Sequence, residues 1–291
     1  MPEPLFPHGR LGLALFLNAG DPADRLTDLA LMLDEHHVDV LELAVPFPNS
    51  PTDGPVIRRS ADRALDAGTT LDTVLDALAD LTPRLHHLKV VLLADWSHSL
   101  RHRDPTHTTR QVAAAGARAL LIHALPPRLR PTWQAALHDT GLPQVTTCYP
   151  ASTPQTLHTA ARDAHGAYVY LVAHYGRSGT TPATGHHTLT TTVTALRTAA
   201  PATPVAVGFG VKTAADLQAV AACGADAAII GSAAVARVEH ALTEGLDPVT
   251  ELQTFLTDLR PAHPHGPGGP GTTSPTPTTP GTTTREEQPA C

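Results

Sequence analysis

The amino-acid sequence predicts a closed parallel (β/α)8 barrel, and three observations support that fold class. Eight short apolar runs recur along the first 260 of the 291 residues. Most of these runs are almost continuously apolar, as strands covered on both faces are. Segments with helical spacing of apolar residues separate the runs. A strand–helix unit repeated eight times favours one closed barrel domain.

The predicted strands alternate along the chain with the helical segments. They are the runs 11–17, 38–45, 88–94, 117–124, 144–148, 167–173, 204–209 and 227–231. The alternative fold is an open doubly wound sheet, which would need a glycine-rich loop after its first strand. The first loop, Asn-Ala-Gly-Asp-Pro-Ala-Asp at 18–24, has only one glycine, and this argues against the open sheet.

The segments between the strands have helical periodicity and glycine stops. Leu26, Leu29 and Leu33 recur at i, i+3 and i+7, which places them on one face of a helix. A later helical segment ends at Gly224, and glycine is typical of helix C-termini. Each helix would cover the outer side of the strands beside it.

The C-terminal segment 261–291 has a different composition. It is rich in proline, glycine and threonine and contains no large apolar side chain. Such a segment buries too little apolar surface to offset the entropy cost of ordering it. The sequence therefore predicts a barrel domain over 1–260 and a disordered tail over 261–291.

Composition excludes several classes of function. The chain has 20 basic and 27 acidic side chains, which leaves no electrostatic footprint for nucleic acid. No apolar run reaches the roughly 20 residues that a membrane helix needs, and the N-terminus does not have the pattern of a signal peptide. Three cysteines, an odd number, fit no disulfide or metal framework, so a cytoplasmic location is expected. Adjacent histidines do not face each other on a helix, and no metal site is predicted.

The second predicted strand carries a carboxylate, Glu42. Because side chains alternate along a strand, Glu42 points to the face opposite Leu41 and Leu43, which in a barrel is the interior. Desolvation there raises the pKa of a carboxyl group and makes it a proton shuttle near neutral pH. The alternative is a structural glutamate paired with Arg58 or Arg59.

A second acid, Asp53, lies in an Asp-Gly-Pro sequence on the loop after that strand. Loops at this end of a barrel carry the chemistry. The alternative is a turn-forming aspartate, since Asp-Gly is a common turn sequence.

Two glycine-containing loops follow the seventh and eighth predicted strands. They are Val-Gly-Phe-Gly-Val-Lys-Thr at 207–213 and Ile-Ile-Gly-Ser-Ala-Ala-Val at 229–235, and each opens a helix. Helix N-termini attract anions, glycines allow close approach, and barrels often bind phosphate after these strands. The alternative is that the glycines serve only the turns. A further glycine-rich loop at 174–181 could close over a substrate.

Together these motifs resemble the α subunit of tryptophan synthase and its stand-alone relatives, the indole-3-glycerol-phosphate lyases. The resemblance runs from about residue 11 to residue 245. It is carried by FLNAGDP after the first strand, LELAVPFPNSPTDGPVI after the second, YLVAHYGRSGT after the sixth, and VGFGVKTAADLQAV and IIGSAAV after the last two.

The resemblance implies retro-aldol cleavage of indole-3-glycerol phosphate to indole and glyceraldehyde 3-phosphate, without a cofactor. It implies that Glu42 is the acid and base, and that Asp53 lies beside the ring nitrogen. It implies a pocket for the indole ring formed by Phe16, Ile57, Tyr170 and Phe209. It implies a phosphate cradle formed by Gly179, Gly210, Gly231 and Ser232.

The sequence also departs from the family pattern. The family's Ser-Asp-Pro is Pro-Asn-Ser at 48–50, so Asn49 and Ser50 argue against coupling to a β subunit. The family's A-D-x-P after the fourth strand is His-Ala-Leu-Pro at 123–126, and the aromatic residue after the third strand is replaced around Asp95-Trp96. These changes predict a divergent paralogue that works alone or with an unusual partner, in a specialised indole pathway.

Three other functions remain open from sequence. A Schiff-base aldolase needs a lysine inside the barrel, and the chain has only Lys89 and Lys212. Another phosphosugar lyase or isomerase would share the phosphate loops but needs no aromatic pocket. A non-catalytic, partner-activating α-like subunit would have no need for a buried acid such as Glu42.

Overall fold

The computed structural model describes residues 3–150, 152–164, 166–172, 186–208 and 210–260, with only the backbone for 186 and 187. The predicted tail at 261–291 and the glycine-rich loop at 174–181 lie outside the described residues. So do two predicted site residues, Gly179 and Phe209. The tail and these two assignments therefore stay predictions.

All eight predicted strands are present, and they are parallel. Their order around the sheet is β4-β3-β2-β1-β8-β7-β6-β5. The two ends of this order meet because Leu120 on β4 forms a parallel bridge with Gln144, just before β5. The prediction of a closed (β/α)8 barrel is confirmed. The strands are β1 Gly12–Asn18, β2 Val40–Ala44, β3 Lys89–Asp95, β4 Ala119–His123, β5 Thr146–Cys148, β6 Val169–Val172, β7 Val205–Gly208 and β8 Ala227–Ile230.

Ten helices in the described ranges surround the barrel. Several begin with a proline at the first helical position, where no backbone N–H is needed. The helix predicted to stop at Gly224 ends at Ala222, and Gly224 follows with a φ of +79°. The helices are α1 Leu26–Glu35, α2 Pro55–Asp66, α3 Leu71–Leu81, α4 Pro105–Ala114, α5 Arg130–Thr140, α6 Pro154–Asp163, α7 His186–Ala199, α8 Ala214–Ala222, α9 Ser232–Glu244 and α10 Pro248–Leu259.

Strand alternation divides the core into two apolar clusters. Leu41 and Leu43 point outward and pack in the cluster between the strands and the helices. The second cluster fills the barrel interior and includes Val40, Val91 and Tyr168. Several interior positions are alanines, which leave room for the large ring of Tyr168. Phe6, from the N-terminal segment, packs against that ring at a centroid distance of 5.1 Å.

No helix among the described residues combines the length and the apolar character that crossing a bilayer requires.

Candidate active site

A cavity opens at the carboxyl ends of the strands, the end of a barrel that carries active sites. Its volume is about 490 Å³. The loop after β2, the strands β3 and β4, the strand β6 and the two loops after β7 and β8 all contribute to its lining. Among the lining residues are Phe16, Asp53, Ile57, Asp95, His123, Tyr170, Gly210, Lys212, Gly231 and Ser232.

Glu42 lies just below this cavity and is completely buried. Phe16 and Val91 are its partners on the neighbouring strands, one inward-facing row beneath Ala44, which lines the cavity. Its Oε1 accepts a hydrogen bond from Tyr168 Oη at 2.5 Å. Its Oε2 has no hydrogen-bond partner among the described residues. Glu42 therefore faces the barrel interior, as alternation predicted, but its carboxyl group is turned towards Tyr168 and away from the cavity.

Burial determines the protonation of Glu42. Desolvation raises its pKa from 4.5 to about 7, and the hydrogen bond from Tyr168 opposes the shift only in part. The alternative of a structural ion pair with Arg58 or Arg59 is wrong, because Oε1 of Glu42 is bound by Tyr168 and Oε2 has no partner among the described residues, while Arg59 binds Glu239 at 2.8 and 2.7 Å. A carboxyl group with this pKa is present in both protonation states near neutral pH.

Asp53 lines the cavity from the loop between β2 and α2. It is half-buried and immediately precedes Gly54, the N-cap residue of α2. Burial, and then the charges of Glu42 and Asp53, raise the pKa of Tyr170 well above its usual value. Since both charges act on one phenol, the fold brings the two predicted acids to the same region of the cavity.

Aromatic and aliphatic side chains form the walls between the two ends of the cavity. Phe16 on β1, Ile57 on α2 and Tyr170 on β6, three residues that the resemblance assigns to an indole pocket, all line the cavity. A Cβ atom at Gly208 would lie 2.6 Å from the ring of Tyr170, so glycine at this position lets the ring lie against β7. These walls could hold a flat heterocycle.

The loops after β7 and β8 form a glycine-lined end of the cavity. Gly210 has a φ of +68°, a conformation that favours glycine. Gly231 is followed by Ser232, the first residue of α9, whose free N–H groups lie at this end. A Cβ atom at Gly231 would come no closer than 3.7 Å to another protein atom, an ordinary van der Waals contact with Phe16. Lys212 adds a positive charge to this lining.

The opposite wall carries a polar cluster that the sequence did not predict as part of the site. Asp95 ends β3 and His123 ends β4, and the two are partners in the strand register. Their side chains are linked by a hydrogen bond of 3.0 Å. The available signal was their alternation, since both lie on the inward face at the carboxyl end of a strand.

These features define a (β/α)8 barrel with an aromatic-walled, glycine-lined cavity at the end that carries active sites in this fold. A sequence model of the tryptophan synthase alpha chain matches residues 7–263. The tryptophan synthase alpha chain of Burkholderia thailandensis is 34% identical over 255 residues, covering 87% of this chain and 92% of that protein. The alpha chain of Gloeobacter violaceus is 35% identical over 260 residues, covering 88% and 91%.

Solved structures support the same relationship. The alpha subunit of tryptophan synthase from Legionella pneumophila superposes with a TM-score of 0.77 at 25% identity, covering 86% of this chain and 92% of that one. Tryptophan synthase of Mycobacterium tuberculosis gives a TM-score of 0.73 at 28% identity, covering 86% and 91%. The chain belongs to the tryptophan synthase alpha chain family. It is accordingly a carbon–carbon lyase, as the motifs predicted.

Proposed function

We propose that the protein cleaves indole-3-glycerol phosphate to indole and glyceraldehyde 3-phosphate. The observation that carries the proposal is a buried carboxyl group, Glu42, directly below a cavity with aromatic walls and a glycine-lined end. The cavity volume of about 490 Å³ leaves room for a flat ring joined by a short chain to a phosphate group. Family membership supports the same reaction.

The reaction needs one group that gives a proton and then takes one. Protonation of ring carbon C3 by Glu42 places a positive charge on the ring nitrogen. The same carboxylate then removes the proton of the side-chain hydroxyl beside C3. The bond between C3 and the hydroxyl-bearing carbon breaks, its electrons return to the ring, and an aldehyde forms. Glu42 ends protonated again, so atoms and charges balance.

Asp53 supports this reaction through charge. The ring nitrogen becomes cationic in the intermediate, and a carboxylate at the cavity wall stabilises that charge. Phe16, Ile57 and Tyr170 hold the ring between them. Phe209 is proposed for the same pocket from the resemblance alone.

Glu42 must turn into the cavity before it can act. Its carboxyl group is hydrogen-bonded to Tyr168, below the cavity floor. Rotation about the side-chain bonds breaks this one hydrogen bond and brings the carboxyl group to the substrate. Because Oε2 has no partner among the described residues, nothing else described here holds the group down.

The phosphate group is proposed to bind at the loops after β7 and β8. Gly210, Gly231 and Ser232 offer backbone N–H groups beside the start of α9, where the helix dipole favours an anion. Lys212 adds a charge that can pair with phosphate. Gly179 is proposed as a fourth member of this cradle from the resemblance.

The family is the alpha chain of a two-subunit synthase, and we propose that this chain couples poorly to a standard β subunit. Asn49 and Ser50 replace the family's acid and proline in the loop after β2. Asn49 is exposed with a φ of +57°, and Ser50 is buried with its hydroxyl 3.3 Å from that of Thr52. Co-purification with a standard β subunit, together with mutual activation, would contradict this proposal. A cytoplasmic location stays a prediction from the cysteine content.

The decisive experiment incubates the purified chain alone with indole-3-glycerol phosphate and measures indole by chromatography. Glu42→Gln preserves shape but cannot shuttle a proton, so its turnover should fall at least about 100-fold while substrate still binds. Glu35→Gln, an identical change at an exposed position on α1, should leave turnover unchanged. Wild-type turnover in Glu42→Gln would refute the assignment of the acid.

The same experiment addresses the other functions left open from sequence. A partner-activating subunit without activity would release no indole. A Schiff-base aldolase would be trapped by borohydride, but Lys89 binds Glu3 at 3.1 Å at the amino end of the barrel, remote from the cavity. Lys212 lines the cavity from its rim and is largely exposed. A phosphosugar isomerase would leave the aromatic walls unused.

A further inference from the structure

The wall opposite the phosphate loops is polar. In the barrel order, β3 lies four strands from β7, and β4 lies four strands from β8. Asp95 and His123 end β3 and β4 on the inward face, one row above Leu93 and Leu121. A substrate bound by its phosphate after β7 and β8 therefore extends its ring towards this pair.

Asp95 is a charged group that accepts four hydrogen bonds. Oδ1 accepts from Ser97 Oγ at 2.7 Å and from His98 through its backbone N at 3.0 Å and its Nδ1 at 2.7 Å. Oδ2 accepts from His123 Nδ1 at 3.0 Å. Burial alone would raise the pKa of Asp95, but the hydrogen bonds from Ser97, His123 and His98 outweigh burial and lower it to about 2. Asp95 is ionised at neutral pH.

This ionised carboxylate determines which nitrogen of His123 is available. A carboxylate can only accept hydrogen bonds, so Nδ1 of His123 must donate its proton to Asp95. The other ring nitrogen, Nε2, has no hydrogen-bond partner in the described part of the chain, and the side chain is 32% exposed and lines the cavity. His123 thus offers one free polar atom to a bound molecule.

Phe47 holds this arrangement in place. Its ring stacks on the imidazoles of His98 and His123 at centroid distances of 5.4 and 5.6 Å, with planes tilted by 26° and 29°. The side chain of Asp95 is only 3% exposed. Phe47 also belongs to the loop that carries Asp53, so the polar cluster and the acid beside the ring are positioned by one segment.

We propose that His123, oriented by Asp95, binds a hydroxyl group on the benzo ring of the substrate, so that the preferred substrate is a ring-hydroxylated indole-3-glycerol phosphate. This inference rests on the proposed function and names its substrate class. A hydroxyl group fits because it both donates and accepts, and so it matches Nε2 in the neutral and in the protonated imidazole. An unsubstituted ring would cover Nε2 with C–H groups and leave it without a partner, which costs free energy.

The polar pair of Asp95 and His123 would affect which substrates the cavity selects. Pockets built to hydrogen-bond a substrate hydroxyl reject analogues that lack it, whereas apolar pockets discriminate weakly by size. In the resemblance drawn from the sequence, two departures from the family pattern are His123, at the start of the family's A-D-x-P, and the stretch around Asp95-Trp96. The departures therefore lie where the far edge of the ring would rest.

The test compares three sets of substrates with the purified chain. One set carries a hydroxyl group on each of the four benzo carbons in turn, the second carries methyl groups at the same carbons, and the third is unsubstituted. Methyl and hydroxyl groups have similar size, so the methyl set controls for shape. We expect one hydroxylated isomer to exceed its methyl counterpart and the unsubstituted substrate in kcat/KM by about tenfold or more. Equal or higher kcat/KM for the unsubstituted substrate would overturn the proposal.

Variants test whether Asp95 and His123 cause the preference for a hydroxyl over a methyl group. His123→Ala and Asp95→Asn should each reduce the hydroxyl-over-methyl ratio towards one, whereas His138→Ala, at an exposed position on α5, should retain it. His123→Gln provides a second variant, with a side chain that still hydrogen-bonds, and should retain part of the ratio. A ratio that His123→Ala and His123→Gln leave unchanged would show that another group recognises the substituent.

Binding measurements with analogues that cannot be cleaved test this inference separately from the proposed function. Indole-3-propyl phosphate and its ring-hydroxylated and ring-methylated forms lack the side-chain hydroxyl and cannot be cleaved. Their dissociation constants, measured by calorimetry, should show the same hydroxyl preference in the wild type and in Glu42→Gln. If no substrate is cleaved but this preference appears, the proposed reaction fails and the binding inference stands. If cleavage occurs without any preference in binding, the inference fails and the reaction stands.

Discussion

Glu42→Gln should make the protein more stable than the wild type at pH 8, and this advantage should shrink towards pH 5. In the folded protein, burial raises the pKa of Glu42 from 4.5 to about 7. The folded state therefore binds a proton that the unfolded state has already released between these two values. The stability that this proton provides is fully present below pH 4.5 and is lost as the pH rises through 7.

The magnitude follows from the size of that interval. Each pH unit between the two pKa values corresponds to about 1.4 kcal/mol, so the wild type should lose about 2–3 kcal/mol relative to Glu42→Gln between pH 5 and pH 8. The glutamine oxygen can still accept the hydrogen bond from Tyr168. The difference therefore reports on the buried charge rather than on a broken contact.

Urea unfolding at pH 5, 6, 7 and 8 measures the effect, with the free energy of unfolding extrapolated to water at each pH. Other groups titrate in both proteins, so the informative quantity is the difference between wild type and variant. Glu35→Gln should give a difference that does not change with pH. A flat difference for Glu42→Gln would show that the carboxyl group does not have a raised pKa, and the acid–base role would lose its physical basis.

Three further predictions concern the site and its supports. Tyr168→Phe removes the hydrogen bond that lowers the Glu42 pKa, so the decline in kcat/KM on the alkaline side, expected near pH 7, should move to higher pH; an unmoved profile would contradict the contact. Gly231→Ala should raise KM about tenfold or more by obstructing the phosphate, yet leave the urea midpoint unchanged, because the added methyl group lies no closer than 3.7 Å to Phe16. Ala124→Gly should stabilise the protein by about 0.5–1 kcal/mol in urea unfolding, since Ala124 has a φ of +54°; equal or lower stability would refute this estimate.

The fold could be predicted because strands that are buried on both faces appear in the sequence as runs of apolar residues. Strands covered inside and outside are almost continuously apolar, and most of the eight were recognised in this way. The shortest strand, β5, shows the limit of predicting strands from apolar runs. β5 has only three residues, Thr146–Cys148, and the first two are not buried. Its place in the barrel depends on the bridge from Leu120 to Gln144, a contact that local composition does not encode.

Sequence analysis singled out a candidate residue when that residue was unusual for its own position in the chain. It did not find pairs of residues that come together only in the folded barrel. Glu42 is an acid in an apolar strand, and this contrast is visible in sequence. Its partner Tyr168 lies 126 residues away and looks like an ordinary strand aromatic. The pair of Asp95 and His123 is separated by 28 residues and forms only when β3 and β4 align in register. The register between β3 and β4 cannot be predicted from the separation of the two residues in the sequence.

The choice of tyrosine as the partner of Glu42 has a physical reason. An arginine would hold the carboxylate charged, lower its pKa and make its departure costly, because breaking a buried ion pair costs about 3–5 kcal/mol. Tyr168 donates one hydrogen bond, and the other oxygen of Glu42 has no partner among the described residues. A single hydrogen bond contributes about 1 kcal/mol, so the carboxyl group can leave at small cost. Because this single hydrogen bond lowers the pKa of Glu42 only in part, burial has the larger effect and raises the pKa to about 7. At that value one carboxyl group can serve as both acid and base.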